Sequence, residues 1–248
     1  MGIITVLCLL AASCAKDNSS LVKSSKLTVN FATIKGGVLK STGSTKGSAV
    51  GTNGFTLNSV KISIANLTIE ENSGNDVEQQ GDHNDGDGDN ENNNKEGANT
   101  ENDDILLPGP YVLDVIDGMI TIKQVDVYPG TFKKVDFTFL INNEADFGGN
   151  SIIVNGSYQK AGGTVLPVVL KSDFNQQVQL TLANGGVIVA ANSTVTLSIV
   201  LDIPAWLNSI DLSSAVVSNN EILIDKTNNQ ELLKLFEANL TSNIEVED

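Results

Sequence analysis

The sequence predicts a mainly β protein: an antiparallel Greek-key, immunoglobulin-like β-sandwich with one C-terminal α-helix and a disordered acidic insertion. Three observations predict it. About ten short runs alternate apolar and polar residues, the two-residue period of half-buried strands. Turn pairs punctuate them: Asp117-Gly118, Pro129-Gly130, Gly148-Gly149, Gly162-Gly163 and Gly185-Gly186. One stretch near the C-terminus switches to helical spacing.

Ile3 to Ala12 is almost wholly apolar but shorter than the roughly 20 residues a spanning helix needs. It suits the core of a signal peptide, and Leu10-Ala11-Ala12-Ser13-Cys14 resembles a lipobox. Residues 1–13 therefore read as a lipoprotein signal peptide, with Cys14 as the lipidation site. A basic leader segment is missing, and Ala11 stands where leucine is usual. Residues 14–25 are polar and serine-rich and read as a tether. Lys16-Asp17 resembles the tag that sends Bacteroidetes-type lipoproteins outward. Removal of Cys8 with the signal leaves no internal disulfide, so a single domain over 26–245 must be held by its own core.

Leu27, Val29 and Phe31 begin the alternation. Residues 36–54, with six glycines, read as a loop. Phe55 to Ile69 alternates through Leu57, Val60, Ile62, Ile64, Leu67 and Ile69, and the slip of phase between Leu57 and Val60 predicts a bulge or turn. Residues 70–104 carry 13 of the 30 acidic residues against one lysine. The other 17 acidic residues and 14 lysines nearly cancel, so a near-neutral domain carries one acidic insertion. Its low-complexity part, 72–104, has only Val77 and Ala98 as aliphatic side chains and cannot offset its ordering entropy.

Strand signals resume at Ile105. Asp117-Gly118 suits a type I′ hairpin turn between the run ending near Ile116 and the run Ile120, Ile122, Val125, Val127. Further strands are expected at 132–141, 152–158, 165–170, 178–182, 187–190 and 195–203. Asn228 or Asn229 is placed to cap a helix from Gln230 to about Leu240, with Leu232, Leu233, Leu235, Phe236 and Leu240 on its apolar face.

Composition excludes whole function classes. The 248 residues have a net charge of -15, with 15 lysines, no arginine and a single histidine, His83. Nucleic acid is not an expected partner, because phosphate recognition needs clustered cations. One histidine supplies neither a catalytic triad nor a histidine-rich metal site. No nucleophile elbow, phosphate loop or zinc spacing occurs, so no enzyme is expected. Asp114, Asp117, Asp126 and Asp136 invite a paired-carboxylate reading. Asp117 has a simpler role in its turn, and the others alternate with apolar residues and are expected to face solvent.

Two candidate sites remain. Asp85, Asp87, Asp89 and Glu96 stand at positions 1, 3, 5 and 12 of a calcium-loop spacing, where alternating carboxylates converge on a hard cation. Asn90 replaces the glycine at position 6, and no amphipathic helix flanks the loop, so a solvated acidic tract is the plainer account. Any calcium affinity would be weak, about 0.1 to 1 mM; no other cofactor is implied. Trp206, Tyr111 and Tyr128 are candidate ligand contacts, since flat rings stack on sugar faces. Each sits in or beside an apolar run, where aromatics mostly fill cores.

The stretches Leu106-Leu107-Pro108-Gly109-Pro110-Tyr111-Val112-Leu113-Asp114-Val115-Ile116-Asp117-Gly118, Val127-Tyr128-Pro129-Gly130-Thr131-Phe132-Lys133-Lys134-Val135, Leu201-Asp202-Ile203-Pro204-Ala205-Trp206 and Asp225-Lys226-Thr227-Asn228-Asn229 together resemble Bacteroidetes surface lipoproteins of the domain-of-unknown-function family numbered 4382. The resemblance spans roughly residues 25–245 and carries no catalytic residues. It implies a lipid-anchored module of the bacterial outer membrane, exposed at the cell surface, for adhesion or for capture of a glycan or a surface protein. The alternative expectations are a structural subunit of a fimbria-like assembly and a weak calcium-dependent module.

Overall fold

The computed structural model describes residues 25–35, 38–39, 48–49, 54–71, 104–115 and 118–247. Its strands in chain order are β1 (Ser25–Lys35), β2 (Val38–Leu39), β3 (Ser48–Ala49), β4 (Phe55–Glu71), β5 (Ile105–Leu107), β6 (Tyr111–Asp114), β7 (Ile120–Val127), β8 (Gly130–Phe139), β9 (Ile152–Gln159), β10 (Val165–Ser172), β11 (Gln177–Thr181), β12 (Val187–Val189), β13 (Thr194–Leu201), β14 (Ile222–Ile224) and β15 (Ile244–Glu247). Two helices, α1 (Ile203–Leu207) and α2 (Gln230–Leu240), complete it. The protein is mainly β, with two sheets packed face to face as the alternation predicts.

In the smaller sheet β1 is central. β13 and then β15 extend it on one side, and β7 and β2 pair with its other edge. The larger sheet is built around β4. Ile62 pairs with both Leu113 of β6 and Ile152 of β9, and Ile64 pairs with both Tyr111 of β6 and Phe139 of β8. β8 and β9 therefore follow one another along a single edge of β4. The loop between them is tied to the middle of β4: Ser63 donates its N–H to Ser151 O at 2.8 Å and accepts from Leu140 N at 2.9 Å. β11 and β12 continue outward from β8, and β10 and β14 from β9. Pairing is antiparallel except for β1 with β13 and β10 with β14.

The predicted slip of phase in β4 is real. The register with β9 shifts between Leu57 and Ser59. A second shift against β8, between Ala65 and Thr68, surrounds Asn66, whose φ of 54° lies in the left-handed region that asparagine tolerates. These irregularities bend the strand enough to serve both halves of the sheet.

The core joins the sheets through aromatic rings. Phe31 of β1 meets Phe137 of β8 edge to face, with centroids 5.4 Å apart. Phe137 meets Phe139, Phe139 meets Trp206, and Trp206 meets Phe236 of α2. Offset and edge contacts of this kind suit the ring quadrupoles.

Five expectations need correction. β6 and β7, the strands flanking Asp117-Gly118, do not pair as a hairpin: β6 pairs with β4 in the larger sheet and β7 with β1 in the smaller one. The strand expected over 195–203 stops at Leu201. Asp202 caps α1 instead, its carboxylate accepting the Ala205 N–H at 3.0 Å, with Pro204 in the first turn where its missing N–H costs nothing. The helix at 230–240 has the expected bounds, but Leu235 is 45% exposed, so its apolar face is the narrower set Leu232, Leu233, Phe236 and Leu240. Asn229 does precede that helix, but its side chain caps no helical amide. It reaches across to accept from Val216 N at 2.7 Å and to donate to Val216 O and Leu223 O. The expected tether also loses its last residue, because Ser25 opens β1 and is buried.

Candidate functional site: a cleft at the open edge of the sandwich

β5 and β7 lie at the same side of the molecule but in different sheets. Among the described residues β5 pairs only with β4, and β7 only with β1. No ladder joins them, and between them the sandwich opens into a cleft of about 280 Å³. Leu107, Val127 and Phe132 are buried and form its floor, and Ile105 and Val125 are half-buried beside them. The rim carries Asp104, Lys123, Asp126 and Tyr128.

Lys123 owes its place to a bulge. Val29 pairs with Lys123 and Asn30 with Thr121, which leaves Ile122 as the extra residue on β7. Leu27, Val29 and Phe31 are the inward-facing residues of β1, and their partners on β7 are Val125, Lys123 and Ile120. Lys123 thus takes an inward-phase position on β7 and is nevertheless exposed, at the margin of the sandwich. The other charges are engaged. Asp126 and Lys26 form an ion pair at 3.2 Å on the outer face of the small sheet. Asp104 accepts the Glu71 N–H at 3.1 Å. Lys123 has no ion pair among the described residues.

The predicted aromatic contacts fall in three different places. Tyr128 is half-buried on the rim of the cleft. Tyr111 is half-buried on β6 and packs against the core. Trp206 is 0% exposed between Phe139 and Phe236, so it offers no face to a sugar, and the core reading replaces the ligand reading for this residue. Cys14, His83, Asp85, Asp87, Asp89, Glu96 and Asp117 lie outside the described residues. Among the described residues no three His, Cys, Asp or Glu side chains gather as metal ligands.

The carboxylates also divide. Asp114 and Asp126 are exposed, as expected. Asp136 is not: it is 4% exposed and one of its oxygens has no hydrogen-bond partner. Burial pushes its pKa up, and the adjoining Glu70 pushes it further, while Gln179 and Lys134 oppose the shift. Lys134, at 3.2 Å, and the bond to Asp136 hold Glu70 below its ordinary value. This pair lines neither the cleft nor the small apolar cavity bounded by Phe55, Val154, Val168, Leu170, Leu207 and Ile210, which at about 10 Å³ has room for no more than a water.

The sequence reading missed Lys123 and the cleft, although a signal for the bulge beside Lys123 was present. Ile120, Ile122, Val125 and Val127 change phase within one strand, the same mark that betrays the bulge in β4, and the residue at the slip is Lys123. That β5 would lie nearby was not readable, because it depends on sheet order.

No protein-family model, curated protein or solved structure matches the chain.

Proposed function

We propose that the protein is a non-catalytic, lipid-anchored module of the bacterial outer membrane, exposed at the cell surface, that binds its ligand in the cleft between β5 and β7. The cleft carries the reading. A concave site that brings apolar and polar groups together is the usual form of a small-ligand site, and about 280 Å³ stands near the lower end of the usual range. The lipobox-like run ending at Cys14 and the resemblance to surface lipoproteins supply the anchor and the location.

The fimbria-like alternative needs a strand edge open to a donated strand. β7 is the longer of the two strands between which the cleft opens, and it carries two features that blunt an edge, a bulge and an inward-phase lysine. β5, at three residues, is too short to template a partner. These features favour a bound ligand over strand addition at this edge.

The test is a binding panel of oligosaccharides, purified surface proteins and small amphiphiles, read against Val125→Arg and Tyr128→Ala. Val125→Arg fills the cleft with a charged chain, and Tyr128→Ala strips its rim with less risk to the fold. A ligand whose affinity falls at least about tenfold in both variants, each with a near-normal melting temperature, supports the reading. A ligand bound equally well by wild type and both variants contradicts it.

A further inference from the structure

We propose that the end of the sandwich at which β1 begins lies on the lipid bilayer, with Ile188, Ala190 and Ala191 of the β12–β13 segment and Pro129 of the β7–β8 turn as its contact. This rests on the reading above that lipid on Cys14 anchors the chain.

The position of Ser25 identifies that end. Ser25 pairs with Val127, its hydroxyl donates to Ala190 O at 2.8 Å, and Lys26 donates its N–H to Ser193 O at 2.9 Å. Gly130 pairs with Val189, which sets the β7–β8 and β12–β13 turns side by side. The two turns therefore flank the point where the chain leaves the sandwich towards Cys14. Residues 15–24 lie between Cys14 and Ser25, and ten residues reach at most about 35 Å. An anchor so close keeps this end at high effective concentration beside the bilayer, so a small patch suffices for contact.

The chemistry of the surface fits a lipid interface. No charged residue occurs from Phe174 to Leu201, in a chain that is 18% charged overall. Within this run Val187 and Val189 are buried, and Ile188 between them is 72% exposed. Ala190 and Ala191 follow and are exposed, where a turn more often carries polar groups. Pro129 is exposed on the neighbouring turn. Contact with lipid removes this apolar surface from water. The charges nearby do not oppose it. Lys26 and Asp126 neutralise each other at 3.2 Å. Lys133, whose stem passes close to Gly186, offers a cation to headgroup phosphates. Glu71 meets β8 from the β4 side, and β12 meets it from the other.

The test uses the chain purified with its anchor from host membranes and placed in phosphatidylcholine vesicles that contain nitroxide-labelled phosphatidylcholine. Cys8 is then gone and Cys14 is blocked by its acyl group, so one introduced cysteine carries a fluorophore alone. Ala191→Cys reports on the proposed contact. Val165→Cys is the control: Val165 pairs with Gln159 and Tyr158 with Phe55, at the opposite end of the 17-residue β4. Nitroxide lipid should quench the Ala191 label at least about twofold and leave the Val165 label unchanged. Adding Ile188→Glu, which puts a carboxylate into the contact, should relieve that quenching. Equal quenching of both labels, or none at Ala191, would overturn the proposal. Quenching that Ile188→Glu leaves in place would also overturn it, because the tether alone would then account for the proximity. Shielding of the Ala191 label that depends on protein concentration and not on nitroxide lipid would give the face to a second copy instead. Mass spectrometry separates the two levels of inference. A Cys14 without an acyl group overturns the anchor and this contact together, and an acylated chain with an unquenched Ala191 label overturns this contact alone.

Discussion

Asp136 and Glu70 share a hydrogen bond on neighbouring strands of the larger sheet, and Lys134 pairs with Glu70 at 3.2 Å. The two carboxyl groups sit diagonally across the β4–β8 ladder, where Thr68 faces Asp136 and Glu70 faces Lys134. Side chains so placed on one face lie within reach of each other. Two carboxylates in contact do not ionise independently, so the buried one keeps its proton longer.

A pH dependence of stability follows from the sign of that shift. The folded-state pKa of Asp136 is raised above its ordinary 3.8. Its stabilising contribution is complete below that value and is lost as pH rises through the raised folded value. Glu70 runs the other way: lowered from 4.5, it stabilises above that pH, and its contribution is lost as pH falls through the lowered value. Asp136→Asn keeps a donor towards Glu70 and cannot ionise. Urea unfolding at several pH values above 3.8 should show the wild type losing this contribution as pH rises, with that loss reduced in Asp136→Asn. Equal pH slopes for the two proteins would contradict the arrangement.

Asn229 makes a second, independent prediction. Its φ of 50° is left-handed, and its amide makes three hydrogen bonds to the backbone of Val216 and Leu223. Asn229→Ala removes those bonds and puts alanine in a conformation it resists, so a loss of about 2 to 3 kcal/mol is expected. Asn229→Gly relieves the backbone but not the bonds, and should recover about 1 kcal/mol of that loss. Denaturant midpoints of both variants decide it; two variants as stable as wild type would show the clasp to be idle.

Trp206 is the chain's only tryptophan and makes the core directly observable. Its ring is fully buried, and its indole N–H has no hydrogen-bond partner among the described residues. Fluorescence should therefore be short-wavelength and poorly quenched by acrylamide in the folded state, and move to longer wavelength on unfolding. Trp206→Ala should cost about 3 to 5 kcal/mol. Trp206→Phe should cost less and leave binding at the cleft intact. Efficient quenching in the folded state would place the ring at the surface instead.

The sequence was most legible where local chemistry decides. β1 and β4 show in their alternation, the β4 bulge in the slip after Leu57, and α2 in its helical spacing. What stayed hidden depends on contacts distant in the chain. Val29 is 168 positions from its parallel partner Leu197, and no local pattern announces that pairing. Glu245 and Val246 of β15 pair with β13 only after α2 has turned the chain back, so four C-terminal residues gave too short a pattern to read as a strand. At Asp117-Gly118 good turn chemistry was present, but the partners of the flanking strands lay in different sheets. The short helix that carries Trp206 went unread although a local signal was present: Asp202 two residues before Pro204 marks a helix start, and an apolar run ending in that pattern belongs to two elements.

Anchoring at the outer surface by lipid on Cys14, the proposal on which the binding role depends, is open to direct test. The measurement that tests it most directly compares wild type with Cys14→Ala in the native host, by membrane fractionation and then by protease applied to intact cells. Wild type should be membrane-bound and cut from outside, and Cys14→Ala should be released or mislocalised. Identical fractionation and identical protease access for the two would contradict it.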